Sequence, residues 1–464
     1  MDANATTCDV LVIGAGVSGL TLAHALQKRG VDVALVDAGE APGGVIGTRE
    51  RDGFLYETGA NSALDTTPEL NALFDELGIL AERRDAGATG SRRFIVRGGK
   101  LVALPTSPGA FLTTSAFTMG AKLRLLREPF VAPAAADAEE SIADFVRRRL
   151  GNEFLDYAID PFVSGIYAGD PERISVPAAF PRLHALEQKY GSLIGGQIRG
   201  ARERRQRGET SKNTAKSFSF ARGMDTPARA LARRLARCES GVRVMSVAPG
   251  AAGFEVGALG RGGESVRYRA RRVVVAAAAH AAAPMFAASA PALARALAAI
   301  EYAPVCVVVS AFRREDVAHP LDGFGVLVPK RERRRILGTL FSSSLFEGRA
   351  PAGHVLLTTF AGGRRNPEMT ALDDDVLAQN VGDELAALLG ARNALWHEIV
   401  RWPQAIPQYT IGHLARIAAV DAAAATLTGL HFCANWRGGV SFSDCIKNGL
   451  SLAASLGPAQ APAA

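Results

Sequence analysis

The hydrophobic pattern at the start of the chain predicts a strand, a turn, a helix and a second strand. An apolar run at residues 10–13 has the length of a buried strand, and residues 20–26 place apolar side chains on one face of a helix. A second apolar run at 31–36 ends at Asp37. Because a glycine-rich turn joins the first strand to the helix, the pattern is typical of a Rossmann-like fold that binds a dinucleotide.

The rest of the chain alternates between strand-like and helix-like patterns, which predicts an α/β protein with mixed sheets. Residues 220–290 have the pattern of a return to the nucleotide-binding fold. Residues 291–411 combine strands with one long amphipathic helix, whereas helical periodicity dominates residues 100–215. Strands are predicted at 242–247, 253–259, 266–276, 305–312, 325–328, 355–360 and 430–436, and helices at 141–150, 156–163, 373–389 and 443–456.

The glycine-rich turn has the spacing of a phosphate-binding loop. Gly14 allows a tight turn, Gly16 allows the backbone to approach a pyrophosphate, and Gly19 allows the helix to pack closely on the strand. The helix N-terminus supplies amide donors and the positive end of the helix dipole. Asp37 has the position of a carboxylate that binds an adenosine ribose, and its charge disfavours a 2′-phosphate.

Two further segments favour FAD over NAD. The Gly43-Gly44 pair allows a second backbone approach to the pyrophosphate. Near the carboxyl end, a strand, a glycine turn at 437–440 and a closing helix have the arrangement with which FAD proteins return to the nucleotide fold. We expect non-covalent FAD and no metal. The cofactor residues predicted from these segments are Gly14, Ala15, Gly16, Ser18, Gly19, Asp37, Gly43, Gly44, Gly439 and Val440. Residues 53–62 resemble the segment that follows the glycine pair in the flavin amine oxidase and desaturase group, and this resemblance implies that Gly59 and Asn61 also bind the cofactor.

Composition and charge narrow the class of protein. The 53 basic residues include 45 Arg and eight Lys, the formal net charge is +7, and basic clusters lie at 202–207 and 330–335. No aromatic residues interleave with these clusters and no nucleic-acid module is present, so a solvated face is the simplest interpretation and nucleic acid is not an expected partner. The five cysteines include no C-x-x-C pair, which indicates a reducing compartment.

Three segments bear on contact with a membrane. The amino terminus lacks the features of a signal peptide, so we expect the chain in the cytoplasm. Residues 273–294 are uncharged, but their alanines and two prolines favour a strand that leads into a loop and a helix over a membrane span. Residues 111–130 combine Phe, Met and Leu with Lys and Arg. Such a segment either packs on a core or lies in a membrane interface.

Segments outside the nucleotide-binding motifs resemble the oxygen-dependent protoporphyrinogen oxidases of haem biosynthesis. The resemblance covers nearly the whole chain. The wider flavin amine oxidase and desaturase group shares residues 53–62 and the two ends but not these middle segments, and it often has Arg after the glycine pair, where this chain has Val45. The matching segments are 92–100, 104–106, 160–171, 179–187, 323–329, 337–343, 401–409, 439–440 and 444–445.

The resemblance implies a six-electron oxidation of protoporphyrinogen IX to protoporphyrin IX, with FAD as acceptor and O2 reduced to H2O2. It also implies the substrate residues. Arg93 would face a propionate, with Arg92 as an adjacent alternative. Leu327 and Phe341 would sandwich the macrocycle, Gly165 would leave room for it, and Asn61 would lie near the flavin. The resemblance requires no general base, and we assign none.

The resemblance further implies three domains: an FAD domain of p-hydroxybenzoate hydroxylase type (1–90 with 216–290 and 412–464), a substrate domain (91–99 with 291–411) and a helical, membrane-facing domain (100–215). The enzyme would be peripheral on the inner face of the cytoplasmic membrane. Its partners would be the porphyrinogen and O2. A downstream ferrochelatase and a second copy of the chain in a homodimer are further candidate partners. The rival functions are coproporphyrinogen III oxidation to coproporphyrin III, a flavin amine oxidase or desaturase, and a porphyrin-binding protein without turnover.

Overall fold

A computed structural model describes residues 5–135, 138–207 and 216–457. The strands are β1 (Ala5–Ile13), β2 (Val33–Asp37), β3 (Thr48–Arg51), β4 (Phe54–Glu57), β5 (Ala63–Leu64), β6 (Arg83–Asp85), β7 (Arg93–Arg97), β8 (Lys100–Ala103), β9 (Ser217–Phe220), β10 (Cys238–Ser240), β11 (Arg243–Gly250), β12 (Gly253–Leu259), β13 (Ser265–Val275), β14 (Tyr302–Arg313), β15 (Gly325–Leu327), β16 (Ile336–Leu340), β17 (His354–Gly362), β18 (Trp396–Pro407) and β19 (Leu430–Phe432). The helices are α1 (Val17–Gln27), α2 (Pro68–Glu76), α3 (Pro108–Thr113), α4 (Met119–Leu125), α5 (Ile142–Arg149), α6 (Asn152–Phe154), α7 (Asp160–Tyr167), α8 (Val176–Ala179), α9 (Pro181–Tyr190), α10 (Leu193–Arg207), α11 (Thr226–Arg234), α12 (Ala279–Ala282), α13 (Pro291–Ala298), α14 (Ser342–Leu345), α15 (Asp374–Leu389), α16 (His413–Ala424) and α17 (Phe442–Leu456).

The first large sheet has the strand order β10-β2-β1-β13-β12-β11, and β19 pairs with β13. β1 lies between β2 and β13 in parallel pairing. Val10, Leu11 and Val12 of this strand are fully buried, because helices cover both faces of a parallel sheet and leave no solvent side. The strands predicted for this fold are confirmed, with ends that differ by a few residues.

Three segments that are distant in the chain end side by side at one edge of this sheet. Ile13 pairs with Val36 on one side and with Val275 on the other, and Val275 in turn pairs with Phe432. Ligands of open parallel sheets bind beyond the carboxyl ends of such strands. The pairing therefore brings the loops that follow β1, β2 and β19 toward one site.

The second large sheet has the strand order β18-β14-β17-β16-β15-β7-β8. One of its faces packs against α15, whose Leu377, Val381 and Leu385 share a core with Val308 and Val326. The predicted strands at 305–312, 325–328 and 355–360 and the predicted helix at 373–389 are confirmed. This sheet combines the strand at residues 93–97 with strands from beyond residue 301.

The boundary predicted between residues 99 and 100 falls inside a hairpin and needs correction. Arg97 pairs with Lys100, so β7 and β8 are both strands of the second sheet. The turn consists of Gly98 and Gly99, which both have positive φ values, of 58° and 75°. A Gly-Gly pair between two strands is a recognised hairpin signal, so the sequence contained the information to extend the sheet to Ala103.

The helices from α3 to α10 pack around a buried ionic cluster as well as an apolar core. Arg149 and Glu128 are fully buried and lie 3.0 Å apart, and Arg149 also pairs with Glu187. Glu128 accepts hydrogen bonds from the backbone amides of Leu193 and Ile194 in the first turn of α10. The helix predicted at 141–150 is confirmed as α5, whereas residues 155–159 form a π-turn and α7 begins only at Asp160.

The apolar segment at 111–130 forms two short helices instead of one. Ser107 caps α3 and Thr118 caps α4, so the chain restarts between them. Phe111 packs inward against Phe154, whereas five large apolar side chains are between 57% and 88% exposed: Leu112, Met119, Leu123, Leu126 and Phe130. Within the described ranges, no helix is long and apolar enough to cross a membrane.

Candidate active site

The turn from β1 to α1 has the geometry of a phosphate-binding loop. Gly14 has a φ of +117°, and a Cβ at Gly19 would lie 2.0 Å from the carbonyl oxygen of Gly14. These two positions therefore require glycine. A Cβ at Gly16 would meet nothing within 4 Å, so open space lies beside this residue. Gly16 is also the N-cap of α1 and offers no side-chain acceptor, which leaves the first-turn amides available to an anion.

Asp37 and the Gly43-Gly44 pair lie against this turn. The Asp37 carboxylate accepts hydrogen bonds from the amides of Ala15 and Gly39, both at 2.6 Å. The Gly43 amide donates to the Ala15 carbonyl at 2.8 Å. A Cβ at Gly44, where φ is +63°, would lie 3.3 Å from the Gly16 Cα. The two glycine segments thus form one cradle with backbone atoms on both sides, and the sequence had predicted both.

The Ser18 side chain contacts the closing helix, and its contact with a cofactor stays a prediction. Its side chain is buried and hydrogen-bonds the thiol of Cys445 on α17, whose pKa burial raises to about 11. A Cβ at Gly449, one turn further along α17, would lie 2.9 Å from the Ser18 carbonyl oxygen. Ser18 therefore holds the closing helix against α1. Its backbone, in the first turn of α1, remains the part that can face a cofactor.

The carboxyl-terminal glycine turn is fixed by a tyrosine that sequence reasoning did not assign to the site. The Tyr409 hydroxyl donates to the Asn435 carbonyl at 2.8 Å and accepts from the Gly439 amide at 3.0 Å. Burial raises the pKa of Tyr409, so its proton stays in place to donate. The ring of His413 stacks on Tyr409 with centroids 4.2 Å apart. These contacts hold the turn that contains Gly439 and Val440.

The segment from Gly59 to Leu64 lies next to the first turn of α17. The Ser443 hydroxyl donates to the Leu64 carbonyl at 2.6 Å, and the Asn61 side chain donates to the Gly59 carbonyl at 3.0 Å. A Cβ at Gly59 would lie 2.0 Å from the Val45 carbonyl oxygen, so glycine is required there as well. The structure therefore brings the predicted cofactor residues of four separate segments into one region.

The second sheet places several predicted substrate residues on one face. Leu327 of β15 pairs with Gly338 of β16, and Gly338 pairs with Phe360 of β17. Side chains of paired residues point to the same face, so Leu327 and Phe360 flank a glycine. Neighbouring strands are about 4.8 Å apart, which puts these two side chains about 9–10 Å apart across the glycine. This is the spacing of the two backbones. The Cδ2 atom of Leu327 lies 3.6 Å from the position of a Cβ at Gly338, so the Leu327 side chain leans over the glycine.

Phe341 does not lie on this face, and its predicted role as the wall opposite Leu327 is therefore corrected. Phe341 is fully buried in the core that α15 covers, where its ring lies 6.4 Å from that of Phe94 and 5.5 Å from that of His319. Phe360 is the aromatic residue on the face of Leu327. The sequence contained both phenylalanines, but only the register of β15, β16 and β17 distinguishes them.

Arg93 and Arg92 differ in their surroundings. Arg93 pairs in register with Gly325, two residues from Leu327, and therefore shares the face of Leu327. Its guanidinium lies 5.1 Å from the centre of the Phe324 ring, and the surrounding protein lowers the pKa of Arg93. Arg92 forms an exposed ion pair with Asp322. Within the described residues no carboxylate pairs with Arg93, so Arg93 is the arginine that can receive an anionic ligand.

Gly165 lies in the middle of α7 and contacts the second sheet. A Cβ at this position would lie 3.2 Å from the Cδ2 atom of Leu327. The helix therefore covers the Leu327 side of the face, and a side chain at Gly165 would displace Leu327. The structure places Gly165 against Leu327 and puts Arg93 on the same sheet face as Leu327.

The basic cluster at 330–335 is accounted for by local pairing. Lys330 lies 3.7 Å from Asp170, Arg331 pairs with Asp156, and Arg334 pairs with Glu384. The side chains of the cluster at 202–207 lie outside the described part of the chain. The charges of the cluster at 330–335 therefore pair largely with neighbouring carboxylates, which is consistent with a solvated face.

Comparison with known proteins identifies the family of the chain. The model of the family described as "Flavin containing amine oxidoreductase" matches residues 17–456. Protoporphyrinogen oxidase 2 of Arabidopsis thaliana is 33% identical over 96% of this chain and 92% of its own length. Coproporphyrinogen III oxidase of Propionibacterium freudenreichii is 31% identical over 96% of this chain and 90% of its own length. A crystal structure from Exiguobacterium sp. 255-15, assigned as a protoporphyrinogen oxidase, is 22% identical with a TM-score of 0.79 and covers 97% and 98% of the two chains.

The chain therefore belongs to the flavin-containing amine oxidoreductase family. Within that family it is similar to the protoporphyrinogen oxidases over nearly its whole length, which confirms the predicted resemblance. These relatives support oxidation of a porphyrinogen in haem synthesis with a flavin cofactor. The cradle fits that cofactor, because the open space beside Gly16 and the uncapped start of α1 suit a pyrophosphate.

Proposed function

We propose that the protein oxidises protoporphyrinogen IX to protoporphyrin IX, with non-covalent FAD as the acceptor and O2 as the final oxidant. The observation that carries the proposal is the face of the second sheet on which Leu327 and Phe360 flank Gly338. Such a face suits a flat apolar disc, and Arg93 at its end suits a carboxylate at the edge of the disc. The complete reaction removes six electrons and six protons and converts three O2 to three H2O2.

The chain's own residues bind and orient the substrate. FAD, when held by the Gly14–Gly19 turn and the Gly43-Gly44 pair, would supply the hydride-accepting chemistry and the route of the electrons to O2. Leu327 and Phe360 hold the ring by apolar contact and exclude water from its faces, while the Arg93 guanidinium fixes its orientation. The pyrrole protons leave to solvent, so no side chain is assigned as a general base.

Burial of the nearby thiols supports a non-covalent cofactor. Cys433 directly follows β19, and burial raises the pKa of its thiol to about 12. Cys445 lies within α17, and burial raises the pKa of its thiol to about 11. A thiol in this state is protonated at neutral pH and is a weak nucleophile. Neither cysteine is therefore prepared to form a bond to the flavin.

The pairing of nearby cations favours protoporphyrinogen over coproporphyrinogen III. Arg97 lies on the same strand face as Arg93, but it pairs with Glu153 at 2.7 Å and donates to the Ala116 carbonyl. Within the described residues, Arg93 is thus the unpaired arginine of β7. One free guanidinium matches a substrate with its two propionates at one edge better than one with four propionates around its rim.

We propose that the exposed apolar side chains of α3, α4 and the following turn rest on the inner face of the cytoplasmic membrane. Met119, Leu123 and Phe130 are among them, and apolar side chains of this size bury favourably at a bilayer surface. The cations contribute less than their number suggests, because Lys122 donates to the carbonyls of Leu112 and Thr114. The test is sedimentation with vesicles, in which Leu123→Ser/Phe130→Ser should lower the bound fraction. Equal binding would refute this surface.

The experiment that tests the enzymatic function uses purified protein reconstituted with FAD. We expect a flavin absorbance spectrum, three O2 consumed and three H2O2 formed per porphyrin, and a higher kcat/KM for protoporphyrinogen than for coproporphyrinogen. A higher kcat/KM for coproporphyrinogen would establish the rival reaction. A protein that binds porphyrinogen without O2 uptake would be a binding protein, and failure to bind FAD would refute the proposal as a whole.

A further inference from the structure

The helix α7 is attached to the second sheet at both ends. At its first turn, the Asp160 carboxylate accepts hydrogen bonds from the Lys330 amide at 2.7 Å and from the Arg365 guanidinium at 2.9 Å. At its last turn, the Gln408 side chain donates to the Tyr167 carbonyl at 2.7 Å. Gly165 lies between these two attachments, where it contacts Leu327. The position of the helix over the sheet is therefore defined by polar contacts on either side of the proposed substrate face.

Arg365 joins the elements that carry the two apolar walls. Its guanidinium donates to the Val328 carbonyl at 2.5 Å, directly after Leu327, while Arg365 itself follows β17, which carries Phe360. Arg365 follows β17, and its guanidinium contacts the end of β15 and Asp160 on α7. It therefore connects the three elements that surround the proposed substrate. This is a direct mechanical link between the covering helix and both walls.

The Asp160–Arg365 pair is buried. The two side chains are 7% and 8% exposed, and burial raises the pKa of Asp160 while it lowers that of Arg365. Loss of one partner from such a pair leaves a buried charge without compensation, which is costly. The surrounding structure would then relax so that water reaches the remaining charge, and α7 or the ends of β15 and β17 would move.

We propose that Asp160 and Arg365 are positioning residues that set the separation of Leu327 and Phe360 and the height of α7 above them. The inference rests on the proposed function, because these walls matter only if a macrocycle enters between them. Neither residue is assigned to contact the substrate or the flavin. Displacement of a binding wall by about 1 Å is enough to lower turnover about a hundredfold, so loss of the pair is expected to act on porphyrinogen kinetics.

The test compares Asp160→Asn with the charge-free double variant Asp160→Asn/Arg365→Met, which decides the matter if the single variant does not fold. The matched control is Asp156→Asn. Asp156 pairs at 2.8 Å with the exposed Arg331, so this pair joins the residues before α7 to the turn after β15 on the surface. We expect both Asp160 variants to raise KM for protoporphyrinogen at least tenfold and the control to change it less than twofold. The FAD dissociation constant should stay within twofold of the wild-type value in all of them.

Two outcomes would overturn the inference. One is a wild-type KM in the double variant. The other is a loss of FAD affinity in proportion to the loss of turnover, which would indicate a general structural role. A third measurement separates this inference from the proposed function: wild-type protein without porphyrinogen turnover would refute the function itself, whereas an active wild type with unaffected variants would refute only the positioning role.

Discussion

The substitution Arg93→Met tests the assignment of the substrate carboxylate most directly. Methionine keeps an unbranched apolar chain over the Phe324 ring, which the Arg93 guanidinium contacts at 5.1 Å, but it removes the charge and the donors. A hydrogen bond to a charged group contributes about 1.5–3 kcal/mol. Because about 1.4 kcal/mol corresponds to a factor of ten, KM for protoporphyrinogen should rise about 10- to 150-fold.

The control is Arg92→Met, which removes the neighbouring guanidinium. Arg92 forms an ion pair with Asp322, and the two side chains are 54% and 37% exposed. An exposed pair of this kind contributes about 0–1 kcal/mol, so its loss should change KM less than about fivefold. The assay is steady-state O2 uptake with porphyrin fluorescence as a second readout, at low and high salt, since screening should reduce the effect of Arg93.

A third comparison changes the substrate instead of the protein. A porphyrinogen whose propionates are methyl esters has no carboxylate for Arg93 to bind, so wild-type protein and Arg93→Met should bind it with similar affinity. The reasoning would be refuted if Arg93→Met kept the wild-type KM for the acid, if Arg92→Met had the larger effect, or if the ester showed the same difference between wild type and variant as the acid does.

Three further predictions concern the cofactor turn, stability and pH. Tyr409→Phe leaves the Gly439 amide and the Asn435 carbonyl without their partner. An unsatisfied buried group costs about 1–3 kcal/mol, so the FAD dissociation constant, measured by flavin fluorescence, should rise at least fivefold. An unchanged FAD dissociation constant would exclude this role. Arg149→Met leaves the buried Glu128 unpaired and should lower the free energy of unfolding by about 3–5 kcal/mol, as urea denaturation will measure; a change below about 1 kcal/mol would contradict it. Burial lowers the pKa of His413 to about 4, so the unfolded chain binds the proton first, and stability that is complete above about pH 6.5 falls by about 2 kcal/mol on going to pH 5. The substitution His413→Gln should flatten this part of the stability curve, and an unchanged slope would show that another group is responsible.

The FAD half of the protein could be predicted in detail from the sequence because its signals are local. A strand, a tight turn and a helix start follow one another within the phosphate-binding segment. Gly14 is required by its φ of +117°, and Gly19 by its approach to the Gly14 carbonyl. The continuous apolar runs also indicated strands that are buried on both faces of a parallel sheet. The strand, glycine turn and helix near the end of the chain also predicted a return to the nucleotide fold, and in the structure β19 pairs with β13.

The hairpin of β7 and β8 and the side-chain partner of Ser18 are two contacts that the sequence analysis did not predict, for different reasons. The hairpin had a local signal in Gly98-Gly99, which the domain boundary ignored. The hydrogen bond from Ser18 to Cys445 had none, because the two residues are brought together only when α17 packs on α1. Similarly, the buried ionic cluster around Arg149 joins segments whose charges, taken singly along the chain, resemble an ordinary solvated surface.

By itself, the sequence determined the class of fold, the flavin cradle and the resemblance to porphyrinogen oxidases, since each of these depends on residues that are near one another in the chain or on whole-chain similarity. Only the tertiary structure decided which residues share the face proposed for the substrate. A strand's side chains alternate between two faces, and the face that each presents depends on its pairing with strands far away in the chain. That pairing puts Phe360, and not Phe341, on the face of Leu327. Among the residues that the structure describes, Arg93 has no carboxylate partner, whereas Arg92 pairs with Asp322.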